Sequence, residues 1–565
     1  MQSNAFRSSR VPLWLNVANA QRRLGFGTAA SQALVASLIS DKANAQKAAN
    51  DDEDTSLPLG KSLKQYSTLI WWTLGMSIAI LYGGFDSVIL GSINSMDPFK
   101  EAMGEWGLND DPDPAKRKEE WIIPALWMAL WDSIGPFGQI AGTALGGWLL
   151  DIKGRRFCLL MGSTIGALGI LELFFADKPN NKEYRRIMIL IGKIIQGSGI
   201  GIIKMGTITY MSEISPTTLK GPIMGFIPTF TLLGQLIGAV VSFFMEKQTT
   251  SRGYLIAIGS QWLVAAPPFV MSFLLPESPA FLLLRNDKIK ATASFRRLLG
   301  PTHSAQAAAD KMARTMDEES KNTTAVTYLD CFKGSNRRRS LIVMFAGSVE
   351  FLFGLGLLSS VSTFLPQLNM KSSMALLFLI GGIVVGLIAN STSSWMLSHF
   401  ARRQLLTTSF VAAATLWGVM GFAGIKQFEW TGWLAGGLCT AIIVVCGLGC
   451  WPASYAVIGE TSSLRLRSKT VSLGSLMNNL TGILGNAVMP FLYQPDALDL
   501  GAKTGFIFAA LSLIGAALSY LFVPELKGRS AMEIEHLFAK GVRSVGSSKW
   551  KDAHEEMPMR YMGAV

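Results

Sequence analysis

Twelve apolar runs, each near the length of a bilayer-spanning helix, dominate the 565 residues of this chain. They fall at about 67–90, 122–150, 157–176, 187–211, 222–245 and 254–275. After a polar stretch over 276–340 they resume at about 341–365, 373–397, 404–424, 431–457, 470–493 and 503–523. About 20 apolar residues, at about 1.5 Å of rise each, cross the roughly 30 Å hydrocarbon layer. In lipid only helices and closed barrels satisfy their own backbone hydrogen bonds. The pattern therefore predicts an all-α membrane protein with 12 transmembrane helices in two six-helix bundles, which the internal repeat described below makes pseudo-symmetric. Composition agrees: apolar residues make up 49%, charged residues only 16%, and mean hydropathy is +0.33.

The net charge of +12 would suit a nucleic-acid binder, but the basic residues do not form one patch. Most of the 51 Lys and Arg lie in the terminal stretches, in 276–340 and in every second short loop. The positive-inside rule puts those segments, with both termini, on the cytoplasmic side. The opposite loop 91–121 is acidic, with Asp97, Glu101, Asp110, Asp111, Asp113, Glu119 and Glu120. The expected organisation is a disordered cytoplasmic tail at 1–66, a bundle at 67–275, a cytoplasmic helical linker at 276–340, a bundle at 341–524 and a tail at 525–565. Within the linker, Lys288–Arg297 and Ala305–Glu319 read as helices. Arg7, Arg10, Arg22 and Arg23, with no acid before Asp41, give the N-terminal stretch a second reading as a mitochondrial transit peptide. Cys158, Cys331, Cys439, Cys446 and Cys450 show no metal-ligand spacing with the four His and read as buried apolar thiols. No cofactor, metal or enzyme active site is expected.

An internal repeat sets the architecture. Trp148-Leu149-Leu150-Asp151-Ile152-Lys153-Gly154-Arg155-Arg156 returns as Trp395-Met396-Leu397-Ser398-His399-Phe400-Ala401-Arg402-Arg403, 247 residues later. Glu213 with Lys220 returns as Glu460 with Arg467 at the same offset. Pro276-Glu277 returns as Pro524-Glu525. Two homologous halves with a solute site between them near the midplane follow from such a repeat.

These residues resemble the major facilitator superfamily, and within it the sugar porters. Asp151-Ile-Lys-Gly-Arg-Arg156 is similar to D-x-x-G-R-R, and Tyr210-Met-Ser-Glu-Ile-Ser-Pro216 with Lys220-Gly221 to Y-x-x-E-x-x-P…R-G. Pro276-Glu-Ser-Pro279 matches P-E-S-P, and Pro524-Glu-Leu-Lys-Gly-Arg529 matches P-E-T-K-G-R. Residues 460–470 look most like fungal alpha-glucoside and hexose permeases. The resemblance implies a cytoplasmic gate of Asp151, Arg155, Arg156, Glu213, Lys220, Arg402, Arg403, Glu460 and Arg467. Its salt bridges are expected to clip the halves together when the site faces outward and to break when it faces inward. The other reading of these charges is loop charge that sets topology. Ser398 and Ala401 replace the expected Asp and Gly, which weakens the second clip.

Charges inside spans are expensive and mark function. Asp86, Asp132, Glu172, Lys193, Lys204 and Glu350 stand there. Asp86 resembles the Asp of proton-coupled sugar porters, and Lys193 stands where that family has Arg. The pair is expected to couple protons to the transport cycle, the alternative being a static ion pair. For the solute, the resemblance implies Gln235, Tyr455, Asn478 and Asn479, with Glu350 and Phe351 replacing the amides of Q-Q-x-x-G-x-N. Each amide also reads as a satisfied polar group in helix packing. The expected function is proton-coupled import of a sugar or related polyhydroxy compound by alternating access. The alternatives are a carrier or exporter of another organic solute, and a nutrient sensor. The expected partners are a small solute, protons and a lipid bilayer, with no nucleic acid. The expected state is a monomer, multi-pass in the plasma membrane.

Overall fold

The computed structural model describes residues 64–550, apart from 109–118, 217–218, 220–222, 224–225, 249, 301–303, 323–326, 427, 429, 463–465, 495, 528 and 530. The N-terminal tail and most of the final tail thus lie outside the described residues. Two compact units are defined. One comprises 1–65 with 216–221, of which Lys64, Gln65, Pro216 and Leu219 are described. The other, Tyr66–Ser215 with Pro222–Val565, holds the spans.

Its first half runs α1 (Ser67–Ile93), α2 (Asp97–Met103), a hairpin of β1 (Glu105–Leu108) and β2 (Glu119–Ile122), α3 (Ala125–Lys153), α4 (Arg155–Phe175), α5 (Lys182–Ile214), α6 (Phe226–Glu246), α7 (Arg252–Gly259) and α8 (Gln261–Leu274). The linker holds α9 (Pro279–Leu284), α10 (Lys288–Leu299) and α11 (Ala305–Asn322). The second half runs α12 (Ser335–Gly347), α13 (Val349–Leu352), α14 (Leu355–Ser359), α15 (Val361–Phe364), α16 (Ser372–His399), α17 (Arg402–Ala423), α18 (Thr431–Leu448), α19 (Cys450–Thr461), α20 (Arg467–Tyr493) and α21 (Thr504–Phe522). A short α22 (Ala531–Ala539) follows. The chain reverses at each turn. One end of the spans carries the linker, the other the β hairpin; we call these the linker end and the hairpin end.

Among the described residues nine helical segments are long and apolar enough to cross a membrane. The remaining three expected runs correspond to α3, the broken stretch α12–α15, and α20. Polar side chains dilute the two long helices: Asp132, Gln139 and Thr143 in α3, and Asn478, Asn479, Thr481 and Asn486 in α20. The expected continuous span at 341–365 is not continuous. Gly354 adopts φ 85°, a left-handed conformation that ends α13 and restarts the chain as α14. A Cβ there would lie 2.7 Å from the Phe508 ring. The expected span 431–457 is likewise two helices, parted at Gly449.

Small residues set how closely the helices meet. A Cβ on Gly197 or Gly201 of α5 would run into the Gly135 and Gln139 carbonyls of α3. The Gly197-Ser-Gly-Ile-Gly201 run is therefore a packing seam, as membrane helices use. Large apolar side chains such as Leu168, Leu263, Ile388 and Phe422 stay exposed on the outside of the spans, where acyl chains would cover them. All five cysteines are buried and free.

Candidate functional site

At the linker end the repeat becomes a pair of matching ion-pair networks. In the first, Arg155 starts α4 and Glu213 ends α5. The Arg155 Nε donates to Glu213 Oε2 at 3.0 Å, and its Nη2 forms a second, short bond to Oε1. Arg155 Nη1 donates to the Leu150 carbonyl at 3.2 Å, and the Arg155 backbone N–H to Glu277 Oε1 at 2.9 Å. In the second, Arg402 Nε and Nη2 donate to Glu460 Oε1 at 3.2 and 2.8 Å. Its Nη1 reaches the Leu397 carbonyl at 2.8 Å and its N–H reaches Glu525 Oε1 at 3.1 Å. Every partner is its counterpart's repeat equivalent. The first pair is drier, with side chains 7% and 18% exposed against 16% and 31%. Glu213 also takes the Ser278 hydroxyl, whereas Leu526 fills that place in the second half and Glu460 Oε2 has no hydrogen-bond partner among the described residues.

These networks tie helices within each half. The expected clip across the halves is not what the Arg–Glu pairs form, because each Glu lies on the helix that follows its own Arg helix in the same repeat. Arg156 and Arg403 bond backbone carbonyls, of Ser272 at 3.0 Å and Ser544 at 2.7 Å. Asp151 is exposed at the end of α3 and forms no ion pair among the described residues. Lys220 and the Arg467 side chain lie outside what is described.

Described hydrogen bonds between the halves sit toward the hairpin end. The Ala125 N–H at the start of α3 donates to Asp496 Oδ2 at 2.7 Å. Asn486 Nδ2 donates to the Asp132 carbonyl at 3.2 Å, and Ser373 Oγ to Glu246 Oε1 at 3.2 Å. The start of α5 anchors the hairpin: Arg186 bonds the Met103 carbonyl and Glu105, and Lys182 lies 3.8 Å over the Trp121 ring.

Two polar centres lie within the spans. In the first, Lys193 Nζ of α5 donates to Asp86 Oδ1 of α1 at 2.7 Å, with side chains only 7% and 5% exposed. They line a small cavity with Gln261, whose Oε1 accepts from Gln196 at 2.5 Å. One residue from Asp86, the Ser87 hydroxyl accepts from Gln235 Nε2 of α6 at 3.2 Å. In the second, Glu350 Oε1 accepts from Trp451 Nε1 at 2.8 Å and from the Tyr455 hydroxyl at 2.9 Å. Glu350 stands one turn before the Gly354 break. Tyr455 is 55% exposed although it lies inside α19. Asn478 donates to the Gly347 carbonyl at 3.3 Å, so its amide joins α20 to α12. Phe351 packs toward Gly485 of α20, and Asn479 is half-buried.

The paired networks, the repeat and two charged centres between packed spans are the anatomy of a solute carrier. Residues 72–538 match the family described as sugar (and other) transporter. The chain belongs to that family. Alpha-glucosides permease MPH3 of Saccharomyces cerevisiae is 26% identical over 501 residues, covering 87% of this chain and 81% of the permease. Maltose permease MAL61 of Saccharomyces cerevisiae is 27% identical over 502 residues, covering 87% and 79%. MFS transporter fmqE of Aspergillus fumigatus is 27% identical over 477 residues, covering 81% and 83%. The inward open conformation of the xylose transporter XylE from E. coli superposes with a TM-score of 0.66 at 18% identity, over 83% of this chain and 99% of that one. That likeness shows the fold, the major facilitator fold that the repeat implies. As a member of this transporter family the chain is a multi-pass membrane transporter and not an enzyme.

Sequence reasoning missed Asp496, Gln196, Gln261 and the hairpin anchors Lys182 and Arg186. Gln196 and Gln261 carried a weak signal as amides within apolar runs. Asp496 carried none, being an ordinary acid in a loop.

Proposed function

We propose that this transporter imports a sugar or related polyhydroxy solute together with a proton. The arrangement is twelve spans in two bundles, 67–275 and 341–524, joined by the 276–340 linker. The monomer sits in the plasma membrane with both termini cytoplasmic. The observation that carries the reading is the buried Asp86–Lys193 pair, with Gln235 bonded one residue away through Ser87. A lone charge in this setting is costly: removing one member of a buried pair typically costs about 3–5 kcal/mol. A proton on Asp86 abolishes the attraction that holds Lys193 and frees α1 and α5 to shift against each other. A solute hydroxyl bound by Gln235 competes with Ser87 and so acts on the same segment of α1. Proton and solute thereby bias one element, which is what coupling requires. The relatives' names, alpha-glucoside and maltose permeases, support a sugar as the solute.

The experiment is uptake of labelled maltose, glucose and xylose in yeast lacking its own sugar carriers, at pH 5 and 7.5, beside Asp86→Asn. Faster uptake at pH 5, abolished by a protonophore, supports symport. Uptake indifferent to both makes the chain a facilitator. A second reading, a carrier or exporter of another organic solute, rests on Glu350 and Phe351 standing where the family's sugar-binding amides stand. It is favoured if none of the sugars moves.

A further inference from the structure

Lys204 is the one basic group among the ionisable residues named within the spans that neither the Arg–Glu networks nor the two polar centres engage among the described residues. It lies on α5, eleven residues and so about three turns beyond Lys193, on nearly the same helix face. That face looks into the bundle. Ten residues separate it from the end of α5, about 15 Å along the axis, which puts it near mid-span and beyond the reach of a snorkelling side chain. Yet its side chain is exposed, so it opens onto the space between the halves rather than onto packed helices. It forms no ion pair among the described residues, and Glu350 is the acidic side chain that lies toward it.

Glu350 comes from the other half. Its Oε1 is fully engaged by Trp451 and Tyr455, which fix the carboxylate in place and leave Oε2 without a described partner. The space between the halves thus holds a fixed acceptor on one side and an exposed donor on the other, with the exposed face of Tyr455 beside them. A bound hydroxyl pair satisfies both charges at once: one hydroxyl donates to Oε2, and an adjacent oxygen accepts from the ammonium. Bonds to charged groups are about twice as strong as neutral ones. A second carboxylate gains less, since the negative Glu350 offsets the attraction of Lys204.

We propose that Lys204 and Glu350 bracket the solute from the two halves and select a neutral vicinal diol over a sugar acid. This rests on the carrier reading above and names the chemistry of its site. Because the two groups belong to different halves, a solute between them also draws the halves together, a contact that amides on one half alone cannot make.

The test is transport kinetics of the full chain in proteoliposomes, with glucose, maltose, xylose, the deoxy sugars lacking one hydroxyl each, and glucuronate as probes. Lys204→Gln and Glu350→Gln are each expected to raise KM for the carried sugar about tenfold with kcat little changed. Lys204→Arg, which keeps the charge and the donors, retains most of the affinity. With the deoxy sugar that lacks the bracketed hydroxyl, the penalty of Lys204→Gln should largely vanish, a pattern that a general loss of folding does not produce. Unchanged KM in Lys204→Gln while the wild type carries sugar overturns the bracket and leaves the sugar reading standing. Preference for glucuronate, abolished in Lys204→Gln, replaces the bracket by an anion site. No movement of any probe overturns both.

Discussion

At the residue scale, the two Arg–Glu networks show how duplication and divergence divide a structural duty. Arg155 and Arg402 make the same bonds to repeat-equivalent partners, but Ser278 completes the first network and nothing among the described residues completes the second. Glu213→Gln removes a bidentate partner from a nearly buried guanidinium. It is expected to cost about 3 kcal/mol, against about 1 kcal/mol for Glu460→Gln in its wetter site. Thermal unfolding of the two variants in detergent gives the comparison, and equal losses would contradict it. In the linker, Asp330 caps the turn at 328–332, and its bonds with Lys333 and Thr327 hold the carboxyl well below the usual range. The folded value is depressed, so its stabilisation is present at and above the ordinary carboxylate value near ~4. It is lost only as the pH falls through the folded value. Amide protection of residues 327–333 should therefore be higher in wild type than in Asp330→Asn at pH 6, the two converging in strong acid.

At the element scale, the helix breaks were the least legible feature. The apolar run over 341–365 looks continuous because Gly354 sits among Phe and Leu; only its left-handed φ parts α13 from α14. Hydrophobicity reports where a helix meets lipid and says little about where the backbone turns. Gly354→Ala must hold a side chain in the left-handed region against the Phe508 ring, and about 1–2 kcal/mol of backbone strain is expected before the clash is counted. Reduced thermal stability with reduced transport is the expected outcome, and a fully active Gly354→Ala would contradict the strained break. The start of α3 offers another case. Among the described residues no side chain of its own half caps it, and Asp496 from the other half does. Asp496→Ala removes that cap, worth about 1 kcal/mol, from a contact between the halves. Labelling of a cysteine placed at Ser133 from the hairpin side should rise several-fold in Asp496→Ala. Unchanged labelling would show that the cap holds no gate.

At the scale of the whole molecule, much was legible because a bilayer leaves few choices. Run lengths, the offset of 247 between the repeats and the sugar-porter motifs pointed to the fold that the family match and the solved structures show. In this structure the gate arginines Arg155 and Arg402 pair with glutamates of their own half, a detail a repeat cannot give, since it shows that two networks exist without showing which helices each one joins. Asp86 and Lys193 were legible as a pair because few other charges share their depth. The described hydrogen bonds between the halves lie toward the hairpin end, and the Arg–Glu networks brace each half separately, an arrangement that suits the proposed motion of the halves about a solute.

In the proposed cycle, protonation of Asp86 links the proton gradient to that motion. The measurement that tests it most directly compares two modes of sugar transport in proteoliposomes containing wild type or Asp86→Asn: accumulation driven by an imposed pH gradient, and exchange of labelled for unlabelled sugar without a gradient. The account predicts that Asp86→Asn exchanges sugar at a rate within several-fold of wild type but fails to accumulate it. Accumulation by Asp86→Asn at the wild-type level would contradict the account.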